Sequence, residues 1–223
     1  MIIGLALLGC YFLGSIPFGL IVGKLVKGID IRDFGSGNIG ASNVLRTLGA
    51  GPAILVFALD TGKGLLAVLS CEHLGLGASL TPLIVVAGAM LSILGHTFSV
   101  FLNFRGGKGV ATSLGVAIGL NPLIALIAFG GWIFIVAVTR YISVASIIAS
   151  ASVPAQMVFW KSMQAPAAYQ ILAGVAALTI VLKHISNIKR LINGTEARIG
   201  RRVNIPEDRP GEPDKAPGIC VEE

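Results

Sequence analysis

Charge is what this sequence has least of. Asp, Glu, Lys and Arg make up 13% of its 223 residues, against roughly a quarter in an ordinary soluble domain, while 54% are hydrophobic. That balance excludes a water-soluble globule. Cysteine is equally sparse: Cys10, Cys71 and Cys220 are odd in number and widely scattered, which excludes a disulfide framework and matches no zinc or CxxC spacing, so they read as free thiols. No nucleophile–base–carboxylate triad stands out, and no carboxylate cluster suggests a metal. The formal charge of +6 does not gather into one solvated patch, which argues against nucleic acid as a partner. The N-terminus lacks a basic n-region and a small-residue cleavage site, so the first apolar run reads as a retained span rather than a signal peptide. No internal repeat is evident.

What is present is a set of long uncharged runs. Ile2 to Gly23, Tyr141 to Trp160 and Ser162 to Leu182 contain no Asp, Glu, Lys or Arg, and each meets the roughly 20-residue length of a bilayer span. Span one is expected to end near Val22, with Gly19 and Gly23 spaced for close helix contact. Span two runs from near Pro52 to Cys71 and span three reaches Phe98. Val110 to Thr139 is uncharged over 30 residues, about 45 Å as one helix, longer than the roughly 30 Å hydrocarbon core. Gly119-Leu-Asn121-Pro122 is a turn signal inside it. A turn there makes spans four and five, and puts the loops holding Lys24 to Arg46, Arg105 with Lys108, Arg140, and Lys183 onward on one side. The positive-inside rule therefore predicts an all-α integral membrane protein of seven transmembrane helices, N-terminus outside and C-terminus cytoplasmic. Residues 1–202 form its membrane domain; the Pro-rich, charged residues 203–223 read as a disordered tail.

On this topology, polar islands meet at one membrane face: Gly35 to Arg46, His96 to Lys108, and Lys183 to Arg190, with Arg140 to Ser146 beside them. They combine glycine-rich backbone, which can approach a ligand closely, with Arg46, Lys108 and His184, donors suited to phosphate oxygens. Gly35 to Gly40 spells GxGxxG, but no strand precedes it, so a dinucleotide fingerprint is excluded. Gly107-Lys108-Gly109 lacks the rest of a P-loop. Arg105 and Arg190 are candidate ligands or simple topology cations. His96 is a ligand or a structural hydrogen-bonder, and Asp60 with Lys63 is a functional pair or a structural one.

Three segments carry a resemblance. Gly35-Ser-Gly-Asn-x-Gly-Ala-x-Asn-Val-x-Arg46, Gly95-His-x-Phe-x-x-Phe-x-x-Phe-x-Gly-Gly-Lys-Gly-Val-Ala-Thr112 and Lys183-His-x-x-Asn-Ile-x-Arg-Leu-x-x-Gly-Thr-Glu196 resemble the PlsY family of bacterial membrane acyltransferases. Asp60-x-x-Lys-Gly64 and Arg140-Tyr-x-Ser-x-x-Ser146 are similar to family features too, while Ile185 departs from a commonly basic position. The resemblance implies acyl transfer from acyl-phosphate to the C1 hydroxyl of glycerol 3-phosphate, giving lysophosphatidic acid, in the bacterial cytoplasmic (inner) membrane with the site facing the cytoplasm. No cofactor and no obligate protein partner are implied. It assigns Arg46, Lys108, His184 and Asn187, with Ser143 and Ser146 nearby, to the glycerol 3-phosphate phosphate. Ser36, Asn38, Asn43 and the Gly35, Gly37 and Gly40 backbone are assigned to the acyl-phosphate head; Gly106 and Gly107 are further substrate-binding candidates. His73, His96 and His184 all lack the His-x-x-x-x-Asp pattern of another acyltransferase class. Two rivals stand beside this reading: an acyl-enzyme route with Ser36 as nucleophile, and an organic-phosphate transporter, whose sites belong at the bilayer midplane rather than one face.

Overall fold

The computed structural model describes residues 1–77, 79–159, 166–201 and 203. Among these, every regular element is helical: α1 (Ile2–Ser15), α2 (Phe18–Lys27), α3 (Ala41–Thr47), α4 (Ala50–Glu72), α5 (Thr81–Thr97), α6 (Val110–Leu120), α7 (Pro122–Thr139), α8 (Ile142–Phe159), α9 (Ala167–Lys183) and α10 (Ile185–Ile192). Large apolar side chains cover the outside, such as Leu25 at 80%, Phe134 at 69% and Leu126 at 67% exposure, while Asn43, Asp60, Lys63 and His96 are buried. This inside-out arrangement is what a lipid solvent selects, because the bilayer solvates Leu and Phe but not a carboxylate.

Among the described residues, three helical stretches are long and apolar enough to cross a membrane alone: Ala50–Glu72, Thr81–Leu102 and Pro122–Thr139. Two bent pairs, α1 with α2 and α9 with α10, bring the number to five. The first expected span is therefore not one straight helix. It bends by 41° between Ser15 and Phe18, where Pro17 removes a backbone donor. At that break the Lys63 ammonium donates to the Ile16 carbonyl at 3.0 Å and pairs with Asp60 at 2.8 Å. The glycines of α2 likewise serve a purpose other than the expected helix contact. A Cβ on Gly19 would lie 1.8 Å from the Ile39 carbonyl oxygen, and one on Gly23 would lie 2.5 Å from Ile31 Cγ2, so they admit the following loop.

Helix-on-helix approach is supplied elsewhere. Gly64 and Gly115 bring α4 against α6, where added Cβ atoms would meet the Thr112 and Thr61 carbonyl oxygens at 2.1 and 1.8 Å. These contacts set the start of α6, a helix of 11 residues, beside the middle of α4. The long uncharged run does break at Asn121. Its side chain caps α7 by accepting from the Leu123 and Ile124 amides at 3.1 and 3.2 Å, and Pro122 occupies the first helical position. The expected tail beyond residue 203 lies outside the described residues, as do 160–165 at the start of the expected seventh span.

Candidate active site

The glycine-rich loop before α3 is folded around Asn43. Its Oδ1 accepts the Ser36 amide at 2.8 Å, and its Nδ2 donates to the Ile31 and Phe34 carbonyls at 2.8 and 3.1 Å. Gly35 and Gly37 adopt φ of +63° and +67°, and a Cβ on Gly35 would come within 2.4 Å of Asn43 Oδ1. Asn43, expected as a donor ligand, is thus fully buried behind the loop with its amide engaged by backbone. It holds Ser36 at the cavity wall instead, and Gly35 and Gly37 give the loop its curvature without lining that wall. The Ser36 amide is likewise spoken for, so what that residue can offer a ligand is its hydroxyl. Asn38 Oδ1 accepts the Gly40 amide at 2.9 Å just ahead of α3, and Arg46 then projects from α3 into the cavity.

The second loop folds back on the end of α5. Gly106 and Gly107 amides donate to the Thr97 and His96 carbonyls at 3.2 and 2.9 Å. A Cβ on Gly106 would lie 2.0 Å from the His96 carbonyl oxygen, and one on Gly107 would lie 2.1 Å from His96 Nε2. Both glycines are therefore packing elements that deliver Lys108, and their amides are spent on α5 rather than on a ligand. Arg105 points away and is exposed. His96 Nδ1 lies 3.5 Å from Asp60 Oδ1, and both residues reach the inner part of the cavity, whereas Lys63 stays behind them.

Lys108, Asn187 and Glu196 form the hinge of the site. Lys108 Nζ donates to Asn187 Oδ1. Asn187 Nδ2 donates to Glu196 Oε1 at 2.6 Å, which also accepts from Ser143 Oγ at 2.8 Å, while Arg190 Nε donates to Oε2 at 2.7 Å. Burial alone would raise the Glu196 carboxyl, but the Asn187, Arg190 and Ser143 donors outweigh it and hold the group below the usual range. Burial pushes Lys108 down to about 8, with Glu196 opposing and Arg190 and Arg46 adding to the effect. Burial also lowers Arg46, again against Glu196; an arginine stays charged regardless. Glu196 was absent from the expected site. Its signal was a lone carboxylate closing the third motif amid Lys183, Lys189, Arg190 and Arg198. Arg190 does not line the cavity and serves Glu196.

Two further side chains complete the wall. His184 Nδ1 faces the Ile180 carbonyl at 2.8 Å; a carbonyl only accepts, so Nδ1 carries a proton and Nε2 is left for the cavity, where the protonated ring donates to an anion. Ser146 donates to the Ile142 carbonyl at 2.8 Å and accepts from Trp132 Nε1 at 3.1 Å, which makes it a brace for Trp132. The cavity, about 390 Å³, thus has a polar end formed by Ser36, Asn38, Arg46, Lys108, His184 and Asn187, and apolar walls from Ile54, Phe57, Leu114, Phe129 and Leu172.

A helical membrane protein whose cationic pocket opens into an apolar one belongs to a class that seats a charged group beside a fatty one. Comparison with known proteins narrows the class. Residues 4–194 match the model of the glycerol-3-phosphate acyltransferase family. Glycerol-3-phosphate acyltransferases of Nostoc sp. (strain PCC 7120) and Synechococcus sp. (strain JA-2-3B'a(2-13)) are 44% and 45% identical to this chain over 90% and 89% of its length and 93% and 95% of theirs. The crystal structure of PlsY, an integral membrane glycerol 3-phosphate acyltransferase, in its glycerol 3-phosphate form is similar, with a TM-score of 0.82 at 38% identity over 90% of this chain and 96% of that one. Its lysophosphatidic acid form gives 0.79 at the same identity, covering 97% of that chain. The chain belongs to the glycerol-3-phosphate acyltransferase family and is an integral membrane acyltransferase.

Proposed function

We propose that this protein transfers a fatty acyl group from acyl-phosphate to the C1 hydroxyl of glycerol 3-phosphate, giving lysophosphatidic acid and inorganic phosphate. One observation carries the reading: Arg46, Lys108 and His184 converge at the polar end of a cavity whose remaining walls are apolar. A phosphate seated there stands beside a compartment for a hydrocarbon chain. The glycerol 3-phosphate and lysophosphatidic acid forms of the related PlsY structures support that pairing of ligands.

In the proposed reaction Arg46, Lys108 and His184 hold the phosphate of glycerol 3-phosphate. Asn187, Glu196 and Ser143 fix the Lys108 ammonium. The Ser36 hydroxyl and Asn38 hold the head of acyl-phosphate, whose chain lies along the apolar walls. The C1 hydroxyl oxygen attacks the acyl carbon, the bond from that carbon to the phosphate oxygen breaks, and phosphate leaves with the electron pair. The hydroxyl proton ends on a substrate phosphate oxygen. Because the donor is a mixed anhydride with a good leaving group, positioning and charge stabilisation suffice, and no acyl-enzyme is needed. The protein acts in the bacterial cytoplasmic membrane with this cavity facing the cytoplasm. The shorter apolar helices α6 and α8 join the five spans above to make seven, N-terminus outside.

The test is a detergent-micelle assay of wild type beside Ser36→Ala, Arg46→Ala, Lys108→Ala and His184→Ala. Loss of a charge-assisted bond is worth about 1.5–3 kcal/mol, so Arg46→Ala and Lys108→Ala are expected to lose roughly 10- to 100-fold in kcat/KM for glycerol 3-phosphate. Four variants all within about twofold of wild type contradict the site. An acyl group found covalently on Ser36 during turnover contradicts direct attack.

A further inference from the structure

We propose, resting on the acyl-transfer reading above, that Met157 gauges the donor: with Leu120 and Leu172 it closes the far end of the acyl compartment and sets the preferred chain length. The cavity does not stop at the catalytic end. On α8 it is lined by Ser143, Ser146, Ser150, Val153 and Met157, steps of three and four residues that make one continuous stripe. Stripes on α6, from Val110 to Leu120, and on α9, from Ile180 back to Leu172, run the same way from the polar end. The walls change along this path. Small side chains, Ala149 on α8 with Ala176 and Ala177 on α9, leave room through the middle, and bulk returns at the end.

That end is closed. Met157 and Leu172 are 3% and 1% exposed, and Ile124 of α7, fully buried, packs behind Met157 with Val153 and Ala173. The methionine is thus a flexible, apolar side chain on a rigid backing, able to fill space but not to retreat. From Ser143 to Met157 the helix rises about 21 Å at 1.5 Å per residue. An acyl chain extended along this path fills it, so the length of the compartment sets how many carbons it takes. Replacing the methionine by alanine lengthens the space by several ångströms, two to three carbons' worth, and phenylalanine shortens it.

The experiment measures kcat/KM for a series of acyl-phosphates from 10 to 20 carbons, at fixed glycerol 3-phosphate, for detergent-purified wild type, Met157→Ala, Met157→Phe and Leu172→Ala. Because each methylene accepted or refused in an apolar pocket is worth at least about tenfold, Met157→Ala is expected to move the optimum about two carbons longer and improve the 20-carbon donor relative to the 14-carbon one by tenfold or more. Met157→Phe moves the optimum the other way, and Leu172→Ala provides a second lengthening if Met157→Ala folds poorly. The KM for glycerol 3-phosphate stays put in each, which a merely loosened structure does not predict. Active variants that share the wild-type profile overturn the gauge and leave the acyl-transfer reading standing. A wild type that uses no acyl-phosphate of any length overturns the reading on which the gauge rests.

Discussion

Lys108 shows how a single residue's surroundings set its chemistry. An exposed lysine is cationic to beyond pH 10, but burial holds Lys108 at about 8, so it sheds its proton as pH rises through that value. The phosphate then loses a cation. The predicted kcat/KM for glycerol 3-phosphate accordingly falls above pH 8, by up to about tenfold per unit where the charged form is required. Lys108→Arg, charged throughout, carries the plateau past pH 9. A profile flat to pH 9.5 in wild type rules this role out. Asn43 works differently, through three bonds to backbone. Asn43→Ala leaves the part-buried Ser36 amide and the Ile31 and Phe34 carbonyls without that partner, and the buried Ile31 carbonyl alone costs about 1–3 kcal/mol when unsatisfied. A lower unfolding temperature is expected together with lost activity, whereas a ligand role would leave unfolding unchanged. At this scale the sequence revealed residue types better than their tasks. Arg46, Lys108 and His184 stood out because cations and imidazoles between apolar runs are conspicuous. Glu196 did not, and Asn43 was read as a ligand, because their importance lies in partners 53 and 7 residues away.

Among the elements, the closest packing is between α4 and α6. The account predicts that Gly115→Ala, whose Cβ would meet the Thr61 carbonyl oxygen at 1.8 Å, lowers the unfolding temperature in detergent, overpacking of this kind costing about 1–3 kcal/mol. Gly130→Ala on the open face of α7 has nothing within 4 Å and leaves it unchanged. Equal behaviour of the two contradicts the seam. The helices themselves were legible from hydropathy, and the break at Asn121-Pro122 from cap chemistry. The bend at Pro17 was hidden inside a uniformly apolar run, where composition carries no periodic signal. Gly19 and Gly23 advertised a close approach without naming what approaches; it is the Ile29–Ile39 loop rather than a helix.

For the whole molecule, charge distribution was the most informative feature. The islands at Ser36, Lys108, Ser143 and His184 are distant in the chain yet border one cavity, as expected from loops that share a membrane face. The final crossing was not foreseeable. After Glu196 the chain runs past Arg46, whose guanidinium donates to the Ala197 carbonyl at 3.3 Å, and Arg140, whose carbonyl accepts the Ile199 amide at 2.8 Å. These are tertiary bonds with no local pattern behind them. The proposed topology predicts that single cysteines at the exposed Arg105 and Lys189 react with an impermeant thiol reagent only from the cytoplasmic side, and one at His73 only from outside. Arg105 and His73 labelled from the same side contradict it.

The most direct measurement mixes purified protein in detergent with acyl-phosphate and glycerol 3-phosphate and follows both products. The account predicts lysophosphatidic acid and inorganic phosphate released in equal amounts, only when both substrates are present. No lysophosphatidic acid under these conditions, or phosphate released with no acyl group appearing on glycerol 3-phosphate, contradicts it.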